Sequence, residues 1–248
     1  MIFNLFKSKP TLKELIPNGS VDIHSHIIPG IDDGAKNIDE SLKLIKGMKK
    51  IGFSKIIGTP HTYPSLYENT SETIQNAFNE LKKNLNIKID IHFASEYLIC
   101  NDLIKKSEKK KLLTIKDKFV LVETNFIAIP NNFHEIIFNI IHNGYTPIIA
   151  HPERYRFLFS DKQEILKLKQ IGCKLQLNLF STIGYYGNDI IKNCDLLLKN
   201  KLIDYYGTDI HKAEQISNFN KKIQIKEIEK LRGVINLTND TFNHDFSF

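Results

Sequence analysis

Residues 21–34 read VDIHSHIIPGIDDG, a short run of β-forming residues that passes into two histidines and then into an acidic turn. His24 and His26 are two residues apart, so in an extended segment their side chains project to the same side of the strand. Such a pair can hold a metal ion at the strand end. On its own the pair is weak evidence, because histidines that only pack in a core are common.

Six further β-rich runs follow, and helical patterns separate them. The seven runs are residues 21–24, 55–58, 87–94, 118–122, 147–150, 173–179 and 202–207. This alternation is typical of successive βα units and predicts an α/β fold with a parallel sheet or barrel. Seven units are one short of the usual eight, so we expect a distorted seven-stranded (β/α) barrel of the TIM type. Residues 87–94 look half-exposed, which suits an edge strand.

No linker, repeat or low-complexity tract interrupts this alternation. We therefore expect one domain over residues 21–232, preceded by an N-terminal extension at residues 1–20 that packs on the domain. The sequence does not place the C-terminal tail, residues 233–248.

Composition narrows the class of protein. The 248 residues are 42% hydrophobic and carry a net charge of +6, which is ordinary for a globular enzyme and too small to indicate a nucleic-acid partner. The stretch at residues 136–152 contains Asn, His, Gly and Pro, so we expect no transmembrane segment. Three cysteines without a CxxC pair support neither a disulfide framework nor a zinc ribbon, and a cytoplasmic location fits best. The oligomeric state stays open.

Residue types that bind metals follow almost every β-rich run. The candidate ligands are His24, His26, His61, Glu96, Glu123, His151, Asp209 and His211, with Asp33 from the acidic turn. Parallel barrels build their sites at the carboxyl ends of the strands, so these side chains should converge. Five histidines and up to four carboxylates exceed what one ion can use, which predicts two or three divalent ions, with Glu96 bridging. Imidazole and carboxylate ligands without thiolate suit Mn, Fe, Zn or Co.

The remaining histidines are expected to be structural. They are His92, His134, His142 and His244.

Arginine is rare in this chain, yet Arg154 lies in the sequence HPERY directly after the fifth run. A guanidinium beside divalent ions can bind a phosphate and stabilise its transition-state charge, so Arg154 is the candidate catalytic and substrate-binding residue. The alternative is a salt bridge between Arg154 and a neighbouring acid such as Glu153. Tyr155 is a further candidate for binding substrate.

The segments VDIHSHIIPGIDDG, GTPH, ASEY, VLVE, IIAHPERY and GTDIH resemble the motifs of the polymerase and histidinol phosphatase (PHP) superfamily. They are most similar to those of the bacterial metal-dependent protein-tyrosine phosphatases encoded in capsule and exopolysaccharide clusters. The resemblance implies a distorted seven-stranded barrel with a trinuclear, usually manganese-dependent, centre. It implies the same nine ligands, with Arg154 as the catalytic arginine. The implied substrate is a phosphotyrosyl protein, the tyrosine-rich tail of a bacterial tyrosine autokinase of polysaccharide export.

In the expected mechanism a metal-bridging hydroxide attacks phosphorus in line while Arg154 neutralises the phosphoryl oxygens. A cysteine nucleophile is excluded, because no arginine lies six residues after any cysteine. Three alternatives remain: a small-molecule phosphomonoesterase of the histidinol phosphatase type, an amidohydrolase, and a non-catalytic module that binds phosphotyrosine.

Overall fold

The computed structural model of the chain describes residues 8–160 and 162–243. The strands are β1 Ser20–Ser25, β2 Phe53–Gly58, β3 His61–Thr62, β4 Asp90–Phe93, β5 Glu96–Leu98, β6 Phe119–Glu123, β7 Thr146–Ala150, β8 Lys174–Asn178 and β9 Tyr205–Gly207. The α-helices are α1 Leu12–Leu15, α2 Ile38–Ile51, α3 Ser71–Asn84, α4 Asn101–Glu108, α5 Phe133–His142, α6 Arg156–Ser160, α7 Lys162–Gln170, α8 Asn188–Lys199 and α9 Ile228–Phe242. Short 3-10 helices cover Pro152–Arg154, Leu179–Ile183 and Ala213–Asn220.

The described strands form two sheets in which neighbouring strands pair in parallel. One has the order β1-β2-β4 and the other the order β3-β5-β6-β7-β8-β9. The predicted α/β class with parallel strands is confirmed. A parallel bridge between Ser25 and Ile210 connects the first strand of one sheet to the residues after the last strand of the other. The closed seven-stranded barrel stays a prediction.

Each predicted run contains a strand, but the second and third runs each continue into a second short strand. Pro60 separates β2 from β3, and because proline has no N–H it cannot donate to the ladder at this point. Along the chain, Ala94 and Ser95 separate β4 from β5. As expected from the half-exposed pattern, β4 lies at the edge of its sheet.

Helix caps follow the local sequence. The side chain of Thr70 accepts a hydrogen bond from the backbone N–H of Thr73 and starts α3, as its position before the apolar stripe predicts. Asn37 caps α2 in the same way, and the buried face of α2 includes Leu44, Ile45 and Met48.

The last helix, α9, lies at the amino ends of the strands. The ring of Phe242 packs against Phe119, where β6 begins, and Tyr205, where β9 begins. The side chain of Asn239 accepts a hydrogen bond from the backbone of Val21 near the start of β1. Helix α9 therefore covers the end of the fold opposite to the predicted site. The end of the predicted domain, at residue 232, lies inside this helix.

The described part of the N-terminal extension packs on the rest of the protein. Leu12, Leu15 and Ile16 are buried, and Leu12 donates a backbone hydrogen bond to Lys221. Residues 1–7 of the extension and 244–248 of the tail, which include His244, lie outside the described residues. Within residues 8–160 and 162–243, no helix combines the length and apolarity needed to cross a membrane.

Candidate metal centre

The carboxyl ends of the strands bring the nine predicted ligands into one cluster. His24 lies near the end of β1, Glu123 ends β6 and His151 follows β7. Where the second and third runs continue, His61 is the first residue of β3 and Glu96 the first of β5, directly opposite each other in the sheet. The acidic turn brings in Asp33, and the loop after β9 supplies Asp209 and His211.

Four buried side chains form the first group: His24, His26, Glu96 and Asp209. The Nε2 atom of His24 lies 3.2 Å from Oε2 of Glu96 and 3.3 Å from Oδ1 of Asp209. One ligand atom from each residue lies within 4.8 Å of the others. Two imidazoles and two carboxylates around one point form a donor set that suits a divalent cation.

Two further groups adjoin the first. His61, Glu96 and Glu123 form one, with Nδ1 of His61 at 3.1 Å from Glu96 and 2.9 Å from Glu123. His26, Asp33, His61 and His211 form the other. Glu96 is therefore shared by two groups, which fits the predicted bridging role.

His151 lies outside these three groups but beside them. Its Nε2 atom is 3.2 Å from Oε1 of Glu96 and 3.7 Å from Oε2 of Glu123. The cluster also has a buried side and an exposed side. The side chain of Asp33 is 53% exposed, whereas that of Glu96 has no exposed surface. Asp33 and His211 thus lie on the solvent side of the cluster.

The electrostatics show why a cation fits here. Burial lowers the pKa of His24, but Glu96 and Asp209 outweigh burial and raise the pKa to about 9. Burial and His26 lower the pKa of His61, yet Glu123 and Glu96 raise it to about 10. Without a metal, protonated imidazoles balance the charge of the ionised carboxylates Glu96 and Asp209, whose pKa values these imidazoles lower, and a divalent ion can replace those protons.

Several buried polar atoms of the cluster form no well-aligned hydrogen bond, although oppositely charged groups lie close to them. They are Nδ1 of His61, Oε2 of Glu96, Oε1 of Glu123 and Nδ1 of His151. Burying polar atoms in this state is unfavourable unless another partner satisfies them. The donor set and these buried atoms together fit a metal centre.

Two positioning residues were missed by the sequence analysis. Asp32, the neighbour of the predicted ligand Asp33, lies 2.7 Å from Nδ1 of His26 through Oδ2. The Oε1 atom of Gln176, in β8, lies 2.9 Å from Nδ1 of His24. Hydrogen bonds of this kind fix the ring orientation of ligand histidines. The adjacent aspartates Asp32 and Asp33 are a sequence signal that could have indicated a role for Asp32. No comparable signal marks Gln176 in the sequence.

Arg154 lies beside the cluster and forms an ion pair, but not with Glu153. Its NH1 group donates to Oδ2 of Asp209 at 3.0 Å. Glu153 is buried and accepts hydrogen bonds from Ser181 and from the backbone of Asn178. Arg154 thus forms a salt bridge with an acid, but the partner is Asp209 rather than Glu153, because Glu153 turns inward towards the end of β8.

Tyr155 is fully buried, and its hydroxyl accepts a hydrogen bond from the backbone N–H of Thr124 at 3.2 Å. This hydroxyl supports the loop after β6 and does not face solvent, and a role of Tyr155 in binding substrate stays a prediction.

The other described histidines lie outside the cluster. His92 pairs with Asp90 at 2.9 Å and His134 with Glu164 at 2.8 Å. The ring of His142 stacks on Phe138. These contacts are the ordinary surface contacts of structural histidines.

Comparison with known proteins identifies the family. The sequence model described as "Capsular polysaccharide synthesis, CpsB/CapC" matches residues 20–233. The chain belongs to the CpsB/CapC family. Membership of the CpsB/CapC family confirms the resemblance seen in the motifs.

Individual CpsB/CapC relatives cover most of the chain. The putative tyrosine-protein phosphatase CapC of Staphylococcus aureus is 30% identical over 234 residues, which span 89% of this chain and 92% of the relative. The tyrosine-protein phosphatase YwqE of Bacillus subtilis (strain 168) is 29% identical over 215 residues, or 85% of this chain and 84% of YwqE.

Solved structures agree. The chain matches a structure described under "YwqE from Bacillus subtilis and CpsB from Streptococcus pneumoniae, unique metal-dependent tyrosine phosphatases" with a TM-score of 0.74 and 25% identity, covering 91% of this chain and 89% of that one. An amidohydrolase from Mycoplasma synoviae matches with a TM-score of 0.50 at 14% identity, which is a likeness of fold alone.

Proposed function

We propose that this CpsB/CapC protein is a metal-dependent phosphatase that hydrolyses phosphotyrosine on proteins. The observation that carries the proposal is the buried cluster of imidazoles and carboxylates around Glu96, with the Arg154 guanidinium at its edge. Relatives named as tyrosine-protein phosphatases, and a similar structure described as a metal-dependent one, support it.

The nine predicted ligands would hold two or three divalent ions. His24, His26, Glu96 and Asp209 would bind one, while the groups that share His61 would bind the others. Nitrogen and oxygen donors without thiolate suit Mn, and also Fe, Zn or Co. Such ions, when bound, supply Lewis-acid charge that makes water acidic near neutral pH and polarises phosphoryl oxygens.

The residues of the chain perform the other tasks. Arg154 binds the phosphoryl oxygens and offsets the charge that they gain in the transition state. Asp209 keeps its Oδ2 atom on Arg154 and leaves Oδ1 beside His24 and His26, so one carboxylate couples the substrate-binding group to the ligands. No arginine lies six residues after any cysteine, as a cysteine-nucleophile phosphatase would need, and burial raises the pKa of the Cys173 thiol to about 12, which keeps that thiol protonated.

The proposal also includes the barrel architecture, the protein substrate and the cellular location. The two sheets, linked at the Ser25–Ile210 bridge, would act as one distorted barrel. The protein substrate would be the tyrosine-rich tail of a bacterial tyrosine kinase of polysaccharide export. A cytoplasmic location is supported by the three cysteines, Cys100, Cys173 and Cys194, which are all free.

The test compares phosphate release from a phosphotyrosyl peptide, a phosphoseryl peptide and histidinol phosphate. The protein is stripped with a chelator and reloaded with Mn, Fe, Zn or Co. We expect turnover of the phosphotyrosyl peptide to be the fastest, to vanish with the chelator and to return best with Mn. Faster turnover of histidinol phosphate would indicate a small-molecule phosphomonoesterase, and capture of phosphopeptide without phosphate release would indicate a binding module.

A further inference from the structure

The guanidinium of Arg154 lies within cation–π distance of two aromatic rings. Its Cζ atom is 4.5 Å from the ring centroid of Phe126 and 4.3 Å from that of Tyr186. Phe126 lies on the loop after β6, Arg154 after β7 and Tyr186 after β8. Three consecutive loops at the carboxyl ends of the strands thus meet at the Arg154 guanidinium.

A hydrogen-bond circuit holds this stack. Asn178, the last residue of β8, is buried, and its Nδ2 group donates to Oδ2 of Asp209 at 3.1 Å and to the hydroxyl of Tyr186 at 3.2 Å. Asp209 in turn accepts from Arg154. An amide nitrogen has two hydrogens, so both bonds can form together. The circuit therefore fixes one of the two rings relative to the proposed metal ligand Asp209.

The geometry limits what Arg154 can do. The two rings and Asp209 restrict the directions from which an anion can reach the guanidinium, whose remaining N–H groups can bind phosphate oxygens. A free arginine side chain would lose conformational entropy each time it bound the substrate, whereas a stacked one is already ordered. Phe126 is 38% exposed, so the stack lies at the mouth of the site.

We propose that Phe126 and Tyr186 are positioning residues that hold the Arg154 guanidinium in place to bind the phosphoryl group of the substrate. The inference rests on the proposed function, because that function assigns the phosphoryl group to Arg154. The rings act through Arg154 and contact none of the reacting atoms. Loss of a ring therefore weakens phosphate binding only while Arg154 is present.

The first experiment measures the arginine itself in metal-free protein by NMR. The chain has three arginines, Arg154, Arg156 and Arg232, so their Nε–Hε signals can be assigned with an Arg154→Ala variant. The aromatic rings should shift the Arg154 signal upfield and slow its exchange. Phe126→Leu and Tyr186→Leu should each reduce this shift towards that of Arg232, which lies on the surface of α9. An Arg154 signal that both leucine variants leave unchanged would overturn the stack.

The second experiment titrates inorganic phosphate into metal-loaded protein by calorimetry. Each leucine variant should weaken phosphate binding about 2- to 30-fold, which corresponds to the loss of one cation–π contact. Phe126→Tyr keeps its ring and should bind phosphate as the wild type does. Tyr186→Phe keeps the ring but loses the hydrogen bond from Asn178, so it should weaken binding less than Tyr186→Leu does. In an Arg154→Ala background the leucine substitutions should cause no further loss. Phe138→Leu, at a 65% exposed aromatic residue on α5, is the matched control.

Metal content, measured for every variant, separates positioning from a general loss of structure. Wild-type phosphate affinity in both leucine variants would refute the inference, as would an equal loss with and without Arg154. These results do not depend on turnover, so a wild-type protein that failed to hydrolyse phosphotyrosyl peptide would refute the proposed function alone.

Discussion

Replacing Asp32 by alanine tests whether a carboxylate outside the ligand set controls the metal centre. The side chain of Asp32 has no exposed surface, and its Oδ2 atom lies 2.7 Å from Nδ1 of His26 and accepts the backbone N–H of His61 at 3.1 Å. Its Oδ1 atom accepts the backbone N–H of Gly34 at 2.9 Å. One carboxylate therefore orients two of the proposed ligands and the turn that carries a third, Asp33.

The size of the effect follows from these contacts. Burial raises the pKa of Asp32, but His26 outweighs burial and holds the pKa below its usual value, so the group is ionised at neutral pH. Removing a carboxylate that orients a ligand histidine costs about 10- to 100-fold in metal affinity, which equals about 1.4 to 2.8 kcal/mol. Because the His26 ring and the His61 backbone are both released, we expect the upper half of this range.

The assay is calorimetric titration of Mn²⁺ into metal-free wild type, Asp32→Ala and Asp32→Asn, with thermal melts of each protein. Asp32→Asn keeps the volume and an acceptor oxygen, so its affinity should lie between the other two. Asp39→Ala, at an exposed acid in the first turn of α2, is the matched control. Wild-type Mn²⁺ affinity in Asp32→Ala would refute the assigned role.

Three further outcomes are expected. Arg154→Ala should keep its metal content, measured by elemental analysis, while turnover of phosphotyrosyl peptide falls about 10²- to 10³-fold; unchanged turnover would remove Arg154 from the mechanism. The pKa values of His24 and His61, about 9 and 10, lie above the ordinary value of 6.5, so their stabilisation of metal-free protein is full below pH 6.5 and lost as pH rises through 9 to 10. Melts with a chelator should show this fall, and Mn²⁺ should reverse it because the metal needs neutral imidazoles; a metal-free melting temperature that rises over this range would contradict it. Gly207→Ala would place a Cβ atom 2.5 Å from Cβ of His24, so Mn²⁺ affinity should drop sharply, and an unaffected titration would show that the strands can shift apart.

Much of the site could be predicted because its chemistry is local. His24 lies near the end of β1 and His26 directly after it, and the other candidates each follow a β-rich run or lie in the turn after one, so strand position alone indicates their convergence. The sequence does not show as directly which aspartate of the acidic turn, Asp32 or Asp33, is a ligand. Asp33 faces the histidines at the rim, whereas Asp32 binds the back of His26, and the two carboxylates differ only in the direction set by the turn.

The sequence by itself determined the α/β class, the order of the strands along the chain and the residues that gather at their carboxyl ends. These features follow from side-chain alternation and from the common direction of parallel strands, both of which are local. The tertiary structure alone decided the contacts of Gln176 with His24, of Phe126 and Tyr186 with Arg154, and of α9 with the amino ends of the strands. Gln176 and His24 are 152 residues apart, and no periodic pattern relates residues at that separation, because packing brings them together only after both strands are in place.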